Sequence, residues 1–357
     1  MKTKGLQPKR PQSMRSWLLY SSHFRQIMRE KGIAWTAQRC IKCTWNFLIH
    51  GTPVTYSARE LSSVLIEVTT YCNMKCSGCY RTLQIPEGKW KNRHMAVQDF
   101  RSIVDTLPPV GELVAQGVGE PVMHPNLPEL IRIAYSTHKF ATITLTTNAM
   151  ARDIDYYTQL FTSGLTTLFI SVDSLDQALA NRLRAGTSVD KLKERIHILA
   201  SRFPKKIAVR TVVGRENIAS IPETLAELDK LGKIEVHMHP YDDLGDASGC
   251  LSLKERASFA QQIPDIVVSF RNLRVTVNNI IPSFGVCPLP WRAPAITVDG
   301  YLTPCCRIVN KDVFNFGNVI SCSFHKIWYA PETEQWRKRF MRKSPSICIG
   351  CPWYVER

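Results

Sequence analysis

From Ser62 onward, short apolar runs of strand character alternate with longer runs in which apolar residues recur every three or four positions. The first kind predicts strands over Val64–Thr69, Leu113–Gly117, Thr142–Thr146, Thr167–Val172, Lys206–Val213 and Ile234–His239. The second predicts helices over Ala96–Leu107, Leu127–Thr137, Asp153–Thr162, Val189–Arg202 and Ile221–Leu231. Strands that each feed a helix demand crossover connections, and right-handed crossovers give a parallel sheet covered by helices. The expected fold class is therefore α/β, a partial (β/α)6 TIM-like barrel. In such sheets chemistry gathers at the C-terminal ends of the strands, so the residues just beyond each strand are the candidate site.

Directly after the first strand stand Cys72, Cys76 and Cys79, spaced by three residues and then two. Three thiolates so close in sequence can hold three irons of a cubane cluster and leave the fourth open. Zinc sites more usually repeat a two-residue gap in pairs, and disulfide frameworks belong to short secreted chains. The C-x3-C-x2-C loop after a first barrel strand resembles the radical S-adenosylmethionine (SAM) superfamily. That resemblance implies a [4Fe-4S] cluster on Cys72, Cys76 and Cys79, whose open iron chelates SAM. It also implies a low-potential electron donor such as flavodoxin or ferredoxin, and a 5′-deoxyadenosyl radical that takes a hydrogen atom from the substrate.

The later strand ends are similar to the same family. Gly117, Gly119, Glu120 and Pro121 stand where the family has its GGEP motif, with Val118 in place of the first glycine, implying contact with the SAM amino group. Thr147-Asn148-Ala149 resembles T-N-G, with alanine in the glycine position. Ser171 and Asp173 lie two apart on an extended backbone and so share a side. With Arg184 of the R-x-G at 184–186 they are implied contacts of SAM. The family's usual aromatic residue before the third cysteine is here Gly78, and Tyr80 is the nearest aromatic candidate for adenine.

A second set of cysteines follows. Cys287 precedes Gly300 by a twelve-residue gap, Cys305 follows that glycine after four residues, and Cys348 and Cys351 form a C-x2-C. Alternation about Asp299-Gly300 predicts a hairpin that brings Cys287 and Cys305 together. The pattern resembles the family's twitch or shortened SPASM extension, which implies a second [4Fe-4S] cluster on Cys287, Cys305, Cys348 and Cys351. Cys306 is an alternative ligand to Cys305, and a structural zinc site is the rival reading of all four. A cluster with four protein ligands has no open iron, so its implied use is to accept the electron left on the substrate, giving net oxidation or oxidative bond formation. Cys250, in a loop, is a candidate hydrogen donor.

Composition narrows the rest. A 44% hydrophobic content marks a globular chain, and no apolar run approaches the ~18 residues of a membrane span, so a cytoplasmic protein is expected. Of the net charge of +16, residues 1–50 carry +9 and residues 323–357 carry +4. Trp17, Tyr20, Phe24, Ile27 and Met28 recur at helical spacing within the basic N-terminal arm, which fits docking on the body, an anionic partner or a membrane surface. Cys40 and Cys43 form a C-x2-C there without a second pair. The expected organisation is a helical arm (1–60), a barrel core (61–245), a connection (246–286) and a small iron-sulfur extension (287–357). Candidate substrates are a small alcohol or sugar, or a peptide. The alternative function is a non-catalytic zinc or iron-sulfur protein that binds nucleic acid through its basic ends.

Overall fold

The computed structural model describes residue 58 and residues 60–355, apart from 243, 245, 281, 282, 285, 286 and 309. The N-terminal arm, with its amphipathic pattern and Cys40–Cys43 pair, lies outside the described residues. No helix among those described is long and apolar enough to cross a membrane.

A ten-stranded sheet forms the frame. Its strands in chain order are β1 (Ser63–Ile66), β2 (Val110–Ala115), β3 (Phe140–Thr147), β4 (Thr167–Ser171), β5 (Ile207–Val213), β6 (Ile234–Pro240), β7 (Leu273–Val277), β8 (Ala295–Ile296), β9 (Tyr301–Thr303) and β10 (Gly317–Asn318). Strands β1 to β7 run parallel and in sequence order, as one crossover after another dictates. The order does not return on itself, so the barrel is partial, as the alternating pattern predicts.

Helices α1 (Val97–Thr106), α2 (Leu127–Ser136), α3 (Ile154–Thr162), α4 (Val189–Arg202), α5 (Ile221–Asp229) and α6 (Leu253–Val267) accompany the sheet. Each of the first five buries one stripe at helical spacing, for example Phe100, Ile103 and Val104 on α1, and Leu192, Ile196 and Leu199 on α4. Full burial of such a side chain contributes roughly 1.5–3 kcal/mol, so this interface fixes where each strand ends.

Two features depart from the sequence reading. The stretch expected to be a connection contains α6 and the edge strand β7. Ser252 and Glu255 start α6 with a capping box, an S-x-x-E signal that was legible. The half-buried run LRVTV was also legible as a strand. Secondly, the predicted hairpin forms as β8 and β9, but it is no separate appendage. β8 pairs in parallel with β1, Leu65 opposite Ala295 and Ile66 opposite Ile296, so the hairpin prolongs the barrel sheet. Helix α7 (Pro331–Arg342) then packs behind it. The guanidinium of its buried Arg337 lies 4.0 Å from the Trp328 ring centroid and donates to the carbonyls of Pro290 and Trp328.

Candidate functional site

The C-terminal ends of β1 to β6 and the segment around the hairpin enclose one cavity of about 940 Å³. Cys72, Cys76 and Cys79 line it as half-buried, unpaired thiols. Local structure splays them. Cys72 accepts from the Met74 amide, Cys79 is the N-cap of the short helix Tyr80–Gln84, and Cys76 lies in a two-residue strand (Lys75–Cys76) antiparallel to Arg184–Ala185. The R-x-G segment thus braces the cysteine loop through its backbone, a pairing of residues over a hundred apart that no local pattern announces. Burial pushes the Cys72 thiol up to about 11, and it raises Cys76 also, with Arg184 pulling the latter down. Such thiols ionise when a metal takes them, as the ligands of an iron-sulfur cluster do.

The loop after β2 closes tightly on the end of β1. A Cβ on Gly119 would lie 2.3 Å from the Thr69 carbonyl oxygen, and one on Gly117 would lie 2.3 Å from Cγ of Glu67. Glu120 is buried and uses both carboxylate oxygens within the protein. It accepts from Thr147 Oγ1 at 2.7 Å and from the Asn148 amide at 2.8 Å. It therefore joins the ends of β2 and β3 beneath the cysteine loop. Pro121 begins the buried turn Pro121–Met123 and is not among the cavity-lining residues. Asn148 lines the cavity and donates to Asn73 Oδ1 at 2.8 Å. Ala149, in the T-N-G glycine position, takes the left-handed φ of 58° that glycine would adopt freely.

Ser171 and Asp173 both line the cavity, as the end of β4 predicts. Asp173 accepts from the Val212 amide and from Nε of Arg184, the latter at 2.5 Å. Burial works against the Arg184 charge, and Asp173 with the nearby cysteines more than offsets it.

Glu67 was not singled out by the sequence reading, although an acid inside an apolar strand run is itself a signal. It is buried at the end of β1 and accepts from the Val118 amide at 2.9 Å and the Val298 amide at 3.1 Å, tying the β2 loop to the hairpin. Burial pushes its carboxyl from 4.5 up to about 7, and Glu120 likewise to about 7. A raised carboxyl contributes stability that is full below about pH 4.5 and lost as the pH rises through about 7. Glu67→Gln is expected to remove about 3 kcal/mol of this pH dependence, so its thermal midpoint should fall less than that of the wild type between pH 5 and pH 8. Parallel midpoint curves would exclude the assignment.

The second set of thiols reaches the same cavity through Cys287. Cys287, Cys305, Cys348 and Cys351 are all half-buried. Burial pushes Cys287 up to about 12, and the neighbouring Cys305, Cys351 and Cys348 add to the rise. Cys305 is pushed up to about 11 by burial, with Cys351 beside it. Among the described residues no three His, Cys, Asp or Glu side chains converge as ligands of a single ion, whereas each iron of a cubane takes its own thiolate. Cys306 lines the cavity and has Cys305, Asp242 and Cys351 as charged neighbours, so both adjacent cysteines stand near Cys351. Arg307 braces this part of the cavity: Nε donates to both Asp242 oxygens at 3.0 and 3.1 Å, and Nη1 to the Ile347 carbonyl beside Cys348. Cys250 is half-buried and is not among the residues lining the cavity.

Two tyrosines line the cavity close to the cysteine loop. Tyr80 lines the cavity, its hydroxyl accepting from Asn310 Nδ2 at 3.2 Å. Tyr241, just beyond β6, lines it too, and a Cβ on Gly78 would meet the Tyr241 hydroxyl at 2.0 Å. A Cβ on Gly249 would likewise lie 2.9 Å from atoms of the same ring. Gly78 is therefore small because a tyrosine from a distant strand fills the space.

Residues 66–228 match the family model of the radical SAM superfamily, and residues 287–352 match that of SPASM, an iron-sulfur cluster-binding domain. Curated relatives include the GTP 3′,8-cyclase of Chlorobaculum tepidum, 24% identical over 57% of this chain and 62% of that protein. A probable GTP 3′,8-cyclase of Methanopyrus kandleri is 28% identical over 50% of this chain and 57% of its own. The chain thus spans about three fifths of the length of these relatives. Among solved structures, Streptococcus suis SuiB bound to S-adenosylmethionine superposes with a TM-score of 0.65 at 17% identity, covering 94% of this chain and 81% of that one. Native anSMEcpe with bound AdoMet gives 0.61 at 19% identity, covering 82% and 87%. At these identities the likeness shows the fold.

Proposed function

The chain belongs to the radical SAM superfamily and carries a SPASM-type domain, and from that premise we propose that it cleaves SAM reductively and oxidises a substrate held between its two sets of thiols. SAM and two iron-sulfur clusters are the cofactors these two domains imply. When bound, they supply a 5′-deoxyadenosyl radical and an electron acceptor to the cavity. The observation that carries the reading is that one cavity is lined both by Cys72, Cys76 and Cys79 and by Cys287. A substrate lying between them is within reach of both and is screened from competing hydrogen donors in water.

The protein's own groups set the geometry. Cys72, Cys76 and Cys79 are the ligands of the first cluster, and Cys287, Cys305, Cys348 and Cys351 those of the second. Gly117 and Gly119 let the β2 loop approach SAM closely, with Glu120 fixing that loop to Asn148. Ser171, Asp173 and Arg184 face SAM from β4 and its following loop. Tyr80 and Tyr241 offer aromatic surface for adenine, the second in place of a side chain at position 78. Radical SAM enzymes need a reductant, and a flavodoxin or ferredoxin has the required low potential. The substrate is a small alcohol, a sugar or a peptide side chain, and its net change is an oxidation or an oxidative bond formation.

The decisive experiment is anaerobic reconstitution of the chain, where about eight irons and 5′-deoxyadenosine on addition of SAM and a strong reductant are expected. Colourless protein that leaves SAM intact would refute the proposal. Cys348→Ala is expected to lower the iron content to about four, keep SAM cleavage and lose oxidised product. Undiminished product from that variant would sink the electron-acceptor role.

A further inference from the structure

We propose that the barrel interior holds an anionic group of the substrate, a carboxylate or a phosphate, on the guanidinium of Arg210. The inference rests on the reading of the cavity as a substrate site and narrows its substrate class.

Four arginines line the cavity. Three have carboxylate partners: Arg184 with Asp173 at 2.5 Å, Arg215 with Glu255 at 3.3 Å, and Arg307 with Asp242 at 3.0 Å. Arg210, in the middle of β5, forms no ion pair among the described residues. Its hydrogen bonds run through Nη1 to two neutral oxygens, Gln116 Oε1 at 2.7 Å and Thr146 Oγ1 at 2.9 Å. Its Nε is buried without a partner. The guanidinium lies 4.2 Å from the centroid of Phe169 on β4. Three neighbours therefore hold the group in one orientation and none neutralises it.

A buried, unpaired charge is costly, and burial accordingly lowers the proton affinity of Arg210. Glu112, whose charge acts on Arg210 and which also lines the cavity, accepts from Thr144 Oγ1 at 2.8 Å and forms no ion pair with the guanidinium. On the adjacent strand β6, His239 also lines the cavity, its Nε2 buried without a partner. Burial and Arg210 keep that ring neutral, its pKa pushed down to about 4, so it sets no second charge beside the guanidinium. A planar guanidinium with free donors beside a neutral imidazole matches a carboxylate or phosphate. A neutral alcohol or sugar would leave the guanidinium without an ion-pair partner among the described residues. Because Arg210 sits within the strand and the thiols lie at the strand ends, an anion held there directs the rest of the substrate toward the mouth.

The test compares three probes that share a benzene ring: phenyl phosphate, benzoate and benzyl alcohol. Each is titrated by equilibrium dialysis into the anaerobically reconstituted, SAM-loaded full chain. At least one anion is expected to bind about tenfold or more tightly than benzyl alcohol, and the stronger of the two identifies phosphate or carboxylate. Arg210→Gln is expected to abolish the preference, and Arg210→Lys to retain part of it. Equal binding of all three probes to the wild type, or a preference that survives in Arg210→Gln, would overturn the proposal. The wild-type comparison decides alone if Arg210→Gln does not fold. No turnover is needed, so failure to form 5′-deoxyadenosine from SAM would refute the proposed reaction while leaving the anion preference readable.

Discussion

Cys76→Ala is expected to abolish 5′-deoxyadenosine formation, by about a thousandfold or more, equivalent to at least about 4 kcal/mol in the barrier. Iron content should fall to about four per chain, because the second thiol set is untouched. Cys76 is half-buried on a two-residue strand whose pairing with Arg184–Ala185 is entirely backbone. The substitution therefore removes one sulfur atom while leaving that brace in place. The loss should consequently appear in SAM cleavage and iron analysis, with the far-ultraviolet circular dichroism unchanged. SAM cleavage at the wild-type rate by this variant would mean that the triplet does not hold the reactive cluster.

The second large effect concerns the exchange of aromatic position between Gly78 and Tyr241. Gly78→Phe forces a side chain into space the Tyr241 hydroxyl fills, where a Cβ would already lie 2.0 Å away. Overpacking of this kind costs about 1–3 kcal/mol, and SAM affinity should fall about tenfold as the two rings compete. Tyr241→Gly should lower SAM affinity by a similar factor through loss of aromatic surface. The double variant Gly78→Phe/Tyr241→Gly restores one aromatic group to the site, so its affinity should return to within about threefold of the wild type. Equilibrium dialysis of SAM against the unreduced protein reads all four. Simple additivity of the two losses would show that the residues do not substitute for one another.

Much of the frame was legible before folding, because its determinants are local. The period of apolar residues in β1 to β6 and in α1 to α5 specifies which face each element buries, and the strand-then-helix alternation leaves a parallel sheet as the outcome. The cysteine spacings are local too, since three thiols within eight positions must share a loop. The edge strand β7 and helix α6 carried readable signals, a period-two run and a capping box, but a half-buried edge strand has a weaker contrast of apolar and polar positions than a central one.

What the sequence determined by itself is thus the alternating architecture and the two groups of closely spaced cysteines, because periodicity and short spacing act within a few residues of chain. Tertiary structure alone decided that the hairpin joins the barrel sheet through β1, that Glu67 ties two loops, that Tyr241 fills the place left by Gly78, and that Arg210 forms no ion pair among the described residues. Each depends on residues dozens to hundreds of positions apart meeting at the strand ends. Such meetings are fixed by sheet order and packing, which local patterns constrain but do not specify.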